Sequence, residues 1–337
     1  MENKDFEIED GILTKYNGQE SHVVIPEGVV KIGAWAFADC DNLKSVEIPN
    51  SVIVIGDGAF CKCENLISIK IPNGITSFSY KTFYGCSNLK NVEIPYSVTY
   101  IGDFVFSYCH SLKNIKLPNG VTNIGVYAFK GCTNLKSIEI PNYVTIIGEF
   151  TFDGCSSLAS IKIPNSVTQI GSGAFWSCTN LTDIKLPNGV TSICSYAFFG
   201  CDNLTSIEIP NSVIEIGQCA FDSIKPIKPQ YTENGALRAY KAFSWNWTCR
   251  GFEYEVGKSY HIDCSVKCCA YGFHACPHPL HVFNYYYGNF NLIRFAEVEL
   301  SGDLDWKEDK VAASNIKIIR EVTASELAEI YSNMKKE

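Results

Sequence analysis

A phenylalanine recurs every 23 residues, nine times in succession, and this interval constrains the fold more than any other feature of the 337-residue chain. The series runs from Phe37 to Phe221 without an insertion or deletion. In the first eight copies a cysteine follows three residues later and a leucine six residues later. A strict period of this length is typical of leucine-rich-repeat solenoids, in which each unit buries its apolar face only by stacking on its neighbours.

Each unit predicts two short extended segments and a tight turn. The segment Ser-Ile-Glu/Lys-Ile alternates as a half-buried strand does, and the proline that follows ends it, because proline cannot donate to a strand ladder. A Val-x-x-Ile-Gly segment forms a second extended piece, and Ala-Phe then leads into a turn that returns the chain. We therefore predict a leucine-rich-repeat β-solenoid of nine 23-residue repeats with parallel sheets, whose shared positions form the interior.

One strand position carries charges whose sign alternates from repeat to repeat, except between Lys162 and Lys185. The residue between the two strand isoleucines points away from the core, and opposite charges on strands about 4.8 Å apart stabilise their pair, whereas like charges destabilise it. We interpret this row of residues as a solvent-exposed face whose opposite charges compensate each other. The alternative is that the face binds a ligand. Down the array the row reads Glu47, Lys70, Glu93, Lys116, Glu139, Lys162, Lys185 and Glu208.

The repeat cysteines are predicted to be reduced. Adjacent copies should lie about one strand spacing apart, but identical side chains of a parallel ladder point the same way and not at each other. Cysteine is also a small, polarizable core residue, so we expect buried structural thiols and a reducing compartment. The first seven residues show neither the basic nor the apolar region of a signal peptide. Together these features predict a cytoplasmic protein, with export by a non-standard route left open.

The repeats resemble a known family. The motifs Ile-Pro-Asn-Ser-Val-Thr-Gln-Ile-Gly at 163–171 and Ala-Phe at 174–175, followed by Cys-Thr-Asn-Leu at 178–181, resemble the BspA-like (Treponema pallidum-type) leucine-rich repeats, and the resemblance covers about residues 8–227. The opening segment 10–18 is similar to that family's N-terminal capping strand pair. Members are typically interaction or adhesion proteins, so the resemblance implies a protein partner.

The charge and hydropathy of the chain argue against two other classes of partner. A net charge of −8 and an isoelectric point near 5.4 do not fit a basic nucleic-acid footprint. The sequence has no run of 18 apolar residues, so it predicts no membrane span.

Partner contacts are expected where the repeats differ, because packing already explains what they share. The residue after the repeat phenylalanine and the residue two before it vary most, and several copies are aromatic. Aromatic side chains are enriched in interface hot spots. The alternative is that these side chains fold back over the turn. The candidate partner-binding residues are Tyr84, Tyr108, Trp176 and Phe199.

The period ends after Phe221, and we predict a solenoid with an N-terminal cap over 1–227 and an α+β domain over 228–337. Strands are expected at 238–243, 252–256, 295–300 and 316–319. Thr323 and Glu326 form the capping-box pattern that opens a C-terminal helix. The segment 241–299 is similar to an uncharacterised domain of phage and gut-bacterial proteins, which implies a boundary and no chemistry.

Histidine and cysteine cluster in this second domain. Four of the six histidines lie within 261–281, together with Cys264, Cys268, Cys269 and Cys276. Structural zinc requires four nitrogen or sulfur ligands, and His-x-Cys-x-His is not a standard knuckle spacing. We interpret the cluster as core and surface residues that need no cofactor. Zinc is the alternative, with the candidate ligands Cys268, His274, Cys276 and His278.

An enzyme is the alternative to a scaffold. The order of a Gly-Phe-His turn, a segment ending in three tyrosines and the strand 295–300 resembles that of the ADP-ribosyltransferases. The resemblance would make Glu297 or Glu299 the catalytic carboxylate and stack Tyr286 on nicotinamide. A charge on an alternating strand is more often part of its solvated face. We therefore favour a non-enzymatic scaffold for protein–protein interaction over an effector whose repeats target a catalytic domain.

Overall fold

The computed structural model describes residues 5–222, 224, 228–263, 265–268, 270 and 272–334. Residues 5–222 stack as a β-solenoid of nine coils, which confirms the predicted fold class. The coils contribute short strands to two parallel ladders, and equivalent residues pair with an offset of one repeat, as Ile69 does with Val92. The predicted boundary at 227/228 adjoins 225–227, which lie outside the described residues.

Ladder A is formed by the segments with alternating charge, and its residues pair in register, as Ile184 does with Ile207. Asn114 continues this ladder by a single bridge to Ser137. The strands of ladder A are His22–Val24, Ser45–Glu47, Ser68–Lys70, Asn91–Glu93, Ser137–Glu139, Ser160–Lys162, Asp183–Lys185 and Ser206–Glu208.

Ladder B is formed by the second extended segment of each coil. At its start a hairpin of strands Phe6–Glu9 and Ile12–Tyr16 adds to the first coil, as expected for an N-terminal cap. The remaining strands of ladder B are Lys31–Ile32, Val54–Ile55, Ser77–Phe78, Tyr100–Ile101, Asn123–Ile124, Ile146–Ile147, Gln169–Ile170, Ser192–Ile193 and Glu215–Ile216.

The nine repeat phenylalanines form a continuous stack, here called the spine. All nine side chains are fully buried, and successive ring centroids lie 5.1–5.7 Å apart with nearly parallel planes. Tyr16 extends the spine from the N-terminal hairpin at 5.1 Å from Phe37. Because each ring covers the next, no coil can bury its own phenylalanine without a neighbour.

The repeat cysteines share one hydrogen-bond geometry. From the second coil onward each thiol donates to the carbonyl of the spine phenylalanine 26 residues earlier, as Cys109 Sγ does to Phe83 O at 3.2 Å. This contact holds one coil against the coil before it. The cysteines that make it are all free and buried: Cys63, Cys86, Cys109, Cys132, Cys155, Cys178 and Cys201.

This burial predicts a large contrast in thiol reactivity. Burial raises the pKa of Cys201 to about 12, so only about one part in 10⁴ of that thiol is the reactive thiolate at pH 8. When the native chain is treated with iodoacetamide, the reagent should modify half-buried Cys194 at least about a hundredfold faster than Cys201, as measured by peptide mass spectrometry. Both should react in denaturant, and equal native rates would contradict the packing.

The C-terminal domain is built on a twisted antiparallel sheet. Its strands lie in the order Gln230–Tyr231, Leu237–Ser244, Ile293–Lys307, Lys310–Val322 and Ser259–His261. Strand Phe273–Ala275 also pairs with Lys310–Val322, and Thr248–Cys249 and Phe252–Glu253 form a separate hairpin. Helix α1 spans Val282–Tyr285 and helix α2 spans Ala324–Met334.

The predicted elements of this domain are located correctly, but their lengths differ. The strands expected at 295–300 and 316–319 are parts of one long hairpin, and the strand expected at 252–256 is only two residues long. The capping box is confirmed, because Glu326 N donates to Thr323 Oγ1 at 3.1 Å and Thr323 N donates to Glu326 Oε2 at 2.7 Å.

The C-terminal domain closes the open end of the solenoid. Strand Gly288–Asn289 pairs antiparallel with the last strand of ladder B, and α2 packs on the last strand of ladder A. There Ile207 N donates to Ser332 Oγ at 3.2 Å, and the Tyr331 hydroxyl donates to Leu204 O. Phe283 of α1 lies 5.9 Å from Phe221 and covers the end of the spine. These contacts satisfy strand edges that would otherwise be open to another chain.

None of the helices in the described part of the chain has the length and apolar character needed to cross a membrane.

Candidate functional site

One backbone position gives every coil the same unusual geometry. The residue two before the spine phenylalanine has a positive φ in all nine coils. A bulky side chain in that region costs about 1–3 kcal/mol, and such residues cluster at functional sites. Five of the nine are nevertheless aromatic. The nine residues are Trp35, Gly58, Lys81, Phe104, Tyr127, Phe150, Gly173, Tyr196 and Cys219.

These aromatics and their neighbours form a half-exposed strip, here called the aromatic edge. The rings of Phe104 and Tyr127 stack at 4.6 Å and those of Tyr127 and Phe150 at 5.0 Å, with planes within about 10°. Gly173 lies beneath Phe150, where a Cβ would come within 2.3 Å of the ring. The edge comprises Tyr80, Tyr84, Phe104, Tyr108, Tyr127, Phe150, Trp176, Tyr196 and Phe199.

All four predicted anchors lie on the aromatic edge, and none is fully exposed. Tyr84 and Tyr108 meet edge to face at 5.5 Å, and Trp176 packs on Phe199 at 4.4 Å. The structure thus brings them together as two pairs and not as one cluster. Their role in binding a partner stays a prediction.

Sequence reasoning missed the stack that lies between these pairs. Phe104, Tyr127 and Phe150 occupy the variable position two before the spine phenylalanine but are not among the predicted anchors. The sequence did contain one indication of this geometry: some repeats have glycine two residues before the spine phenylalanine, and glycine is favoured where the backbone is left-handed. The large aromatic residues in other repeats made a left-handed backbone unexpected at that position.

Lysines give the aromatic edge a polar rim. Lys81 Nζ lies 4.9 Å from the centroid of Tyr84 and 5.6 Å from that of Phe104. Lys130 Nζ lies 5.3 Å from the Tyr127 centroid and 2.8 Å from Asp153, whose hydrogen bond raises the pKa of Lys130. The edge therefore combines apolar ring faces with fixed cations.

Four of the eight charged residues in the ladder A row form ion pairs with each other. Lys162 Nζ lies 2.5 Å from Glu139 and Lys185 Nζ lies 2.7 Å from Glu208, with all four side chains mostly exposed. Exposed pairs of this kind contribute about 0–1 kcal/mol each. This geometry supports the interpretation of a solvated face.

The candidate catalytic residues do not form one site. Glu297 is held by Arg238 and Arg320, each at 3.0 Å. Glu299 is opposite Arg238 in the sheet and therefore shares that face with Glu297. Tyr286 instead lines a cavity on the other side of this sheet, next to Lys241. The structure therefore gives Glu297 an ion-pairing role and separates it from Tyr286.

The candidate zinc ligands are also separated. His274 and Cys276 line the cavity around Lys241, whereas His278 faces another cavity and stacks on His281 at 3.9 Å. Cys268 lies elsewhere, where its backbone N–H donates to Asp305. Among the described residues no group of three or more His, Cys, Asp or Glu side chains is arranged to hold a metal ion. Cys264 and Cys269 lie outside the described residues.

Comparison with protein families gives two matches. The model described as "BspA type Leucine rich repeat region (6 copies)" matches residues 14–136 and 99–228. The model described as "Domain of unknown function (DUF7666)" matches residues 237–330. No curated protein matches the sequence significantly.

Two solved structures are similar to the solenoid. A leucine-rich-repeat protein of T. pallidum is 34% identical, with a TM-score of 0.51 over 54% of this chain and 90% of that chain. A leucine-rich-repeat protein of Bacteroides ovatus is 37% identical, with a TM-score of 0.53 over 62% of this chain and 60% of that chain.

Proposed function

Because the chain belongs to the BspA-type leucine-rich-repeat family, we propose that it is a non-enzymatic scaffold that binds a protein partner through the aromatic edge. The observation that carries this proposal is the row of half-exposed rings held in register on consecutive coils. Buried aromatic anchors supply most of the binding energy in many protein interfaces. The aromatic edge offers several such anchors, whereas the row of ladder A offers exposed charges, four of which are paired with each other.

Rigidity favours the same surface. The rings are held by contacts with one another, and five of the nine residues also have a left-handed backbone, so binding loses little side-chain entropy. The stack of nine coils spans on the order of 40 Å, enough for a standard interface of about 800 Å² on each partner. Lys81 and Lys130 at the rim add polar contacts that select orientation.

The proposal predicts a selective loss of binding. Replacing Tyr84, Trp176 and Phe199 together with alanine should weaken the affinity for a partner captured by the full chain at least about a hundredfold, since hot-spot residues contribute about 2 kcal/mol or more each. The measurement is titration calorimetry with the purified partner, after circular dichroism shows that the variant is folded.

A matched control uses two tyrosines outside the aromatic edge. Tyr96 and Tyr143 are 81% and 66% exposed and follow strands of ladder A. Replacing both with alanine should leave the affinity unchanged. An equal loss in this control, or full affinity in the triple variant, would place the partner elsewhere.

A further inference from the structure

The C-terminal domain contains a small cavity with a strong excess of basic groups. It has a volume of about 220 Å³ and lies between strand Leu237–Ser244, the hairpin 248–253 and strand Phe273–Ala275. Lys241, Arg250, His274 and Lys310 reach it from four different segments. Among the described residues that line it, none is Asp or Glu. This is a local reversal of charge in a chain whose net charge is −8.

Lys241 is the buried centre of this cavity. Only 3% of the residue is exposed, and Nζ donates to the His274 carbonyl at 3.0 Å. Burial lowers the pKa of Lys241, and burial together with the charges of Lys241, Arg250 and Lys310 lowers the pKa of His274. A buried ammonium group is costly unless it is paired with an anion. The neighbouring carboxylate of Asp309 is already engaged by Tyr285 and His281 in the adjoining cavity.

Aromatic side chains form the walls around these charges. Phe252, Tyr254, Phe273 and Tyr286 line the cavity, and Lys241 Nζ lies 5.9 Å from the Tyr286 centroid. Ligand sites combine such apolar walls with a few placed polar groups. The cavity is below the range of about 300–1,000 Å³ that holds drug-sized ligands, which limits the occupant to a small molecule.

We propose that this cavity binds a small organic anion, in which a planar ring lies against Tyr286 and Phe252 and an oxyanion pairs with Lys241 and Arg250. A carboxylate and a phosphate provide the same chemistry here. The site is independent of the aromatic edge, so either proposal can fail without the other. Lys241 is faced in the cavity by Cys249, Cys276 and Arg250. Binding should weaken as pH rises, because deprotonation of Lys241 removes the cation that the anion pairs with, and any ionisation of the two thiols would add a negative charge that repels the anion.

Cys249 provides a reporter for the test. It is half-buried, lines the same cavity and hydrogen-bonds to the side chain of Lys241, whereas half-buried Cys40 and Cys194 lie in the solenoid. Protection is therefore measured for each variant as the ratio of its own alkylation rates without and with the ligand. The full chain is alkylated with iodoacetamide in the presence of phenyl phosphate, phenol, benzoate or benzamide, and each cysteine is followed by mass spectrometry. At concentrations well above Kd, phenyl phosphate or benzoate should slow Cys249 alkylation by about fivefold or more. The neutral analogues should not slow it, and Cys40 and Cys194 should not change.

Substitutions of the basic residues test whether the protection of Cys249 from alkylation depends on them. Lys241→Met should abolish protection, and exposed Arg250→Gln serves the same purpose if the first variant does not fold. Exposed Lys258→Gln, outside the cavity, should retain it. Because phenyl phosphate and benzoate carry the same ring, protection by phenyl phosphate alone assigns a phosphate, and protection by benzoate alone assigns a carboxylate. No protection by either anion, equal protection by the neutral analogues, or full protection in Arg250→Gln would overturn the proposal.

Discussion

Replacing Phe129 with alanine is expected to destabilise the chain by about 3–5 kcal/mol, because the substitution removes a fully buried ring and leaves a cavity that the coils cannot close. Phe129 lies in the middle of the spine and stacks at 5.5 Å on both Phe106 and Phe152. The loss therefore breaks contacts to two neighbouring coils at once. Chemical denaturation followed by circular dichroism measures the change in the free energy of unfolding.

Phe150→Gly is the matched control for this prediction. Phe150 belongs to the aromatic edge, is half-exposed and has a φ of 51°. Glycine adopts this conformation without strain, and Gly58 and Gly173 already occupy the equivalent position in other coils. The free energy of unfolding should change by less than about 1.5 kcal/mol. A similar loss of unfolding free energy in Phe129→Ala and Phe150→Gly would contradict the claim that the spine, and not the aromatic edge, stabilises the solenoid.

Phe283→Ala is expected to have the second large effect, about 3–5 kcal/mol. Phe283 is fully buried where the C-terminal domain meets the last coil, 5.9 Å from Phe221 and 5.4 Å from Phe295. Truncating it removes the contact that continues the spine into the domain. Hydrogen exchange should therefore show lost protection at residues 213–221 and unchanged protection in the first coils.

Tyr287→Ala provides the control for this effect, since Tyr287 lies two residues after the end of α1 but is exposed. It should leave both the stability and the exchange of the last coil nearly unchanged. If Phe283→Ala also left residues 213–221 fully protected, the C-terminal domain would not be the cap of the solenoid.

The capping contacts explain why the solenoid and the C-terminal domain share one core. Ladder B ends on strand Gly288–Asn289, ladder A ends under α2, and the spine ends on Phe283. Repeat arrays need atypical terminal units, because an open last coil exposes apolar surface and unpaired strand edges. The N-terminal hairpin has the same role at the other end.

The sequence predicted what is local or periodic. A 23-residue interval places the spine phenylalanines inside, and Thr323 with Glu326 specifies a helix start within four residues. The sequence did not predict contacts that join distant segments, such as the pairing of Glu215 with Asn289, because two-residue strands carry no pattern of their own.

Lys241 shows a second reason for failure. The sequence pattern predicts only that Lys241 lies in a strand, and strand position alone does not reveal that Arg250 and Lys310 converge on the same cavity. Likewise, Tyr127 gave no sign of a positive φ, because tyrosine rarely adopts one. Such features depend on tertiary packing and become visible only in coordinates.

Hydroxyl-radical footprinting of Phe198 and Phe199 tests the central claim most directly, namely that shared repeat positions are interior and variable ones form the contact surface. The two residues are adjacent and chemically identical, but Phe198 belongs to the buried spine and Phe199 to the aromatic edge. Phe199 should be oxidised readily in the native chain while Phe198 stays protected, and both should react in denaturant. Equal oxidation of the two residues in the native chain would contradict the account.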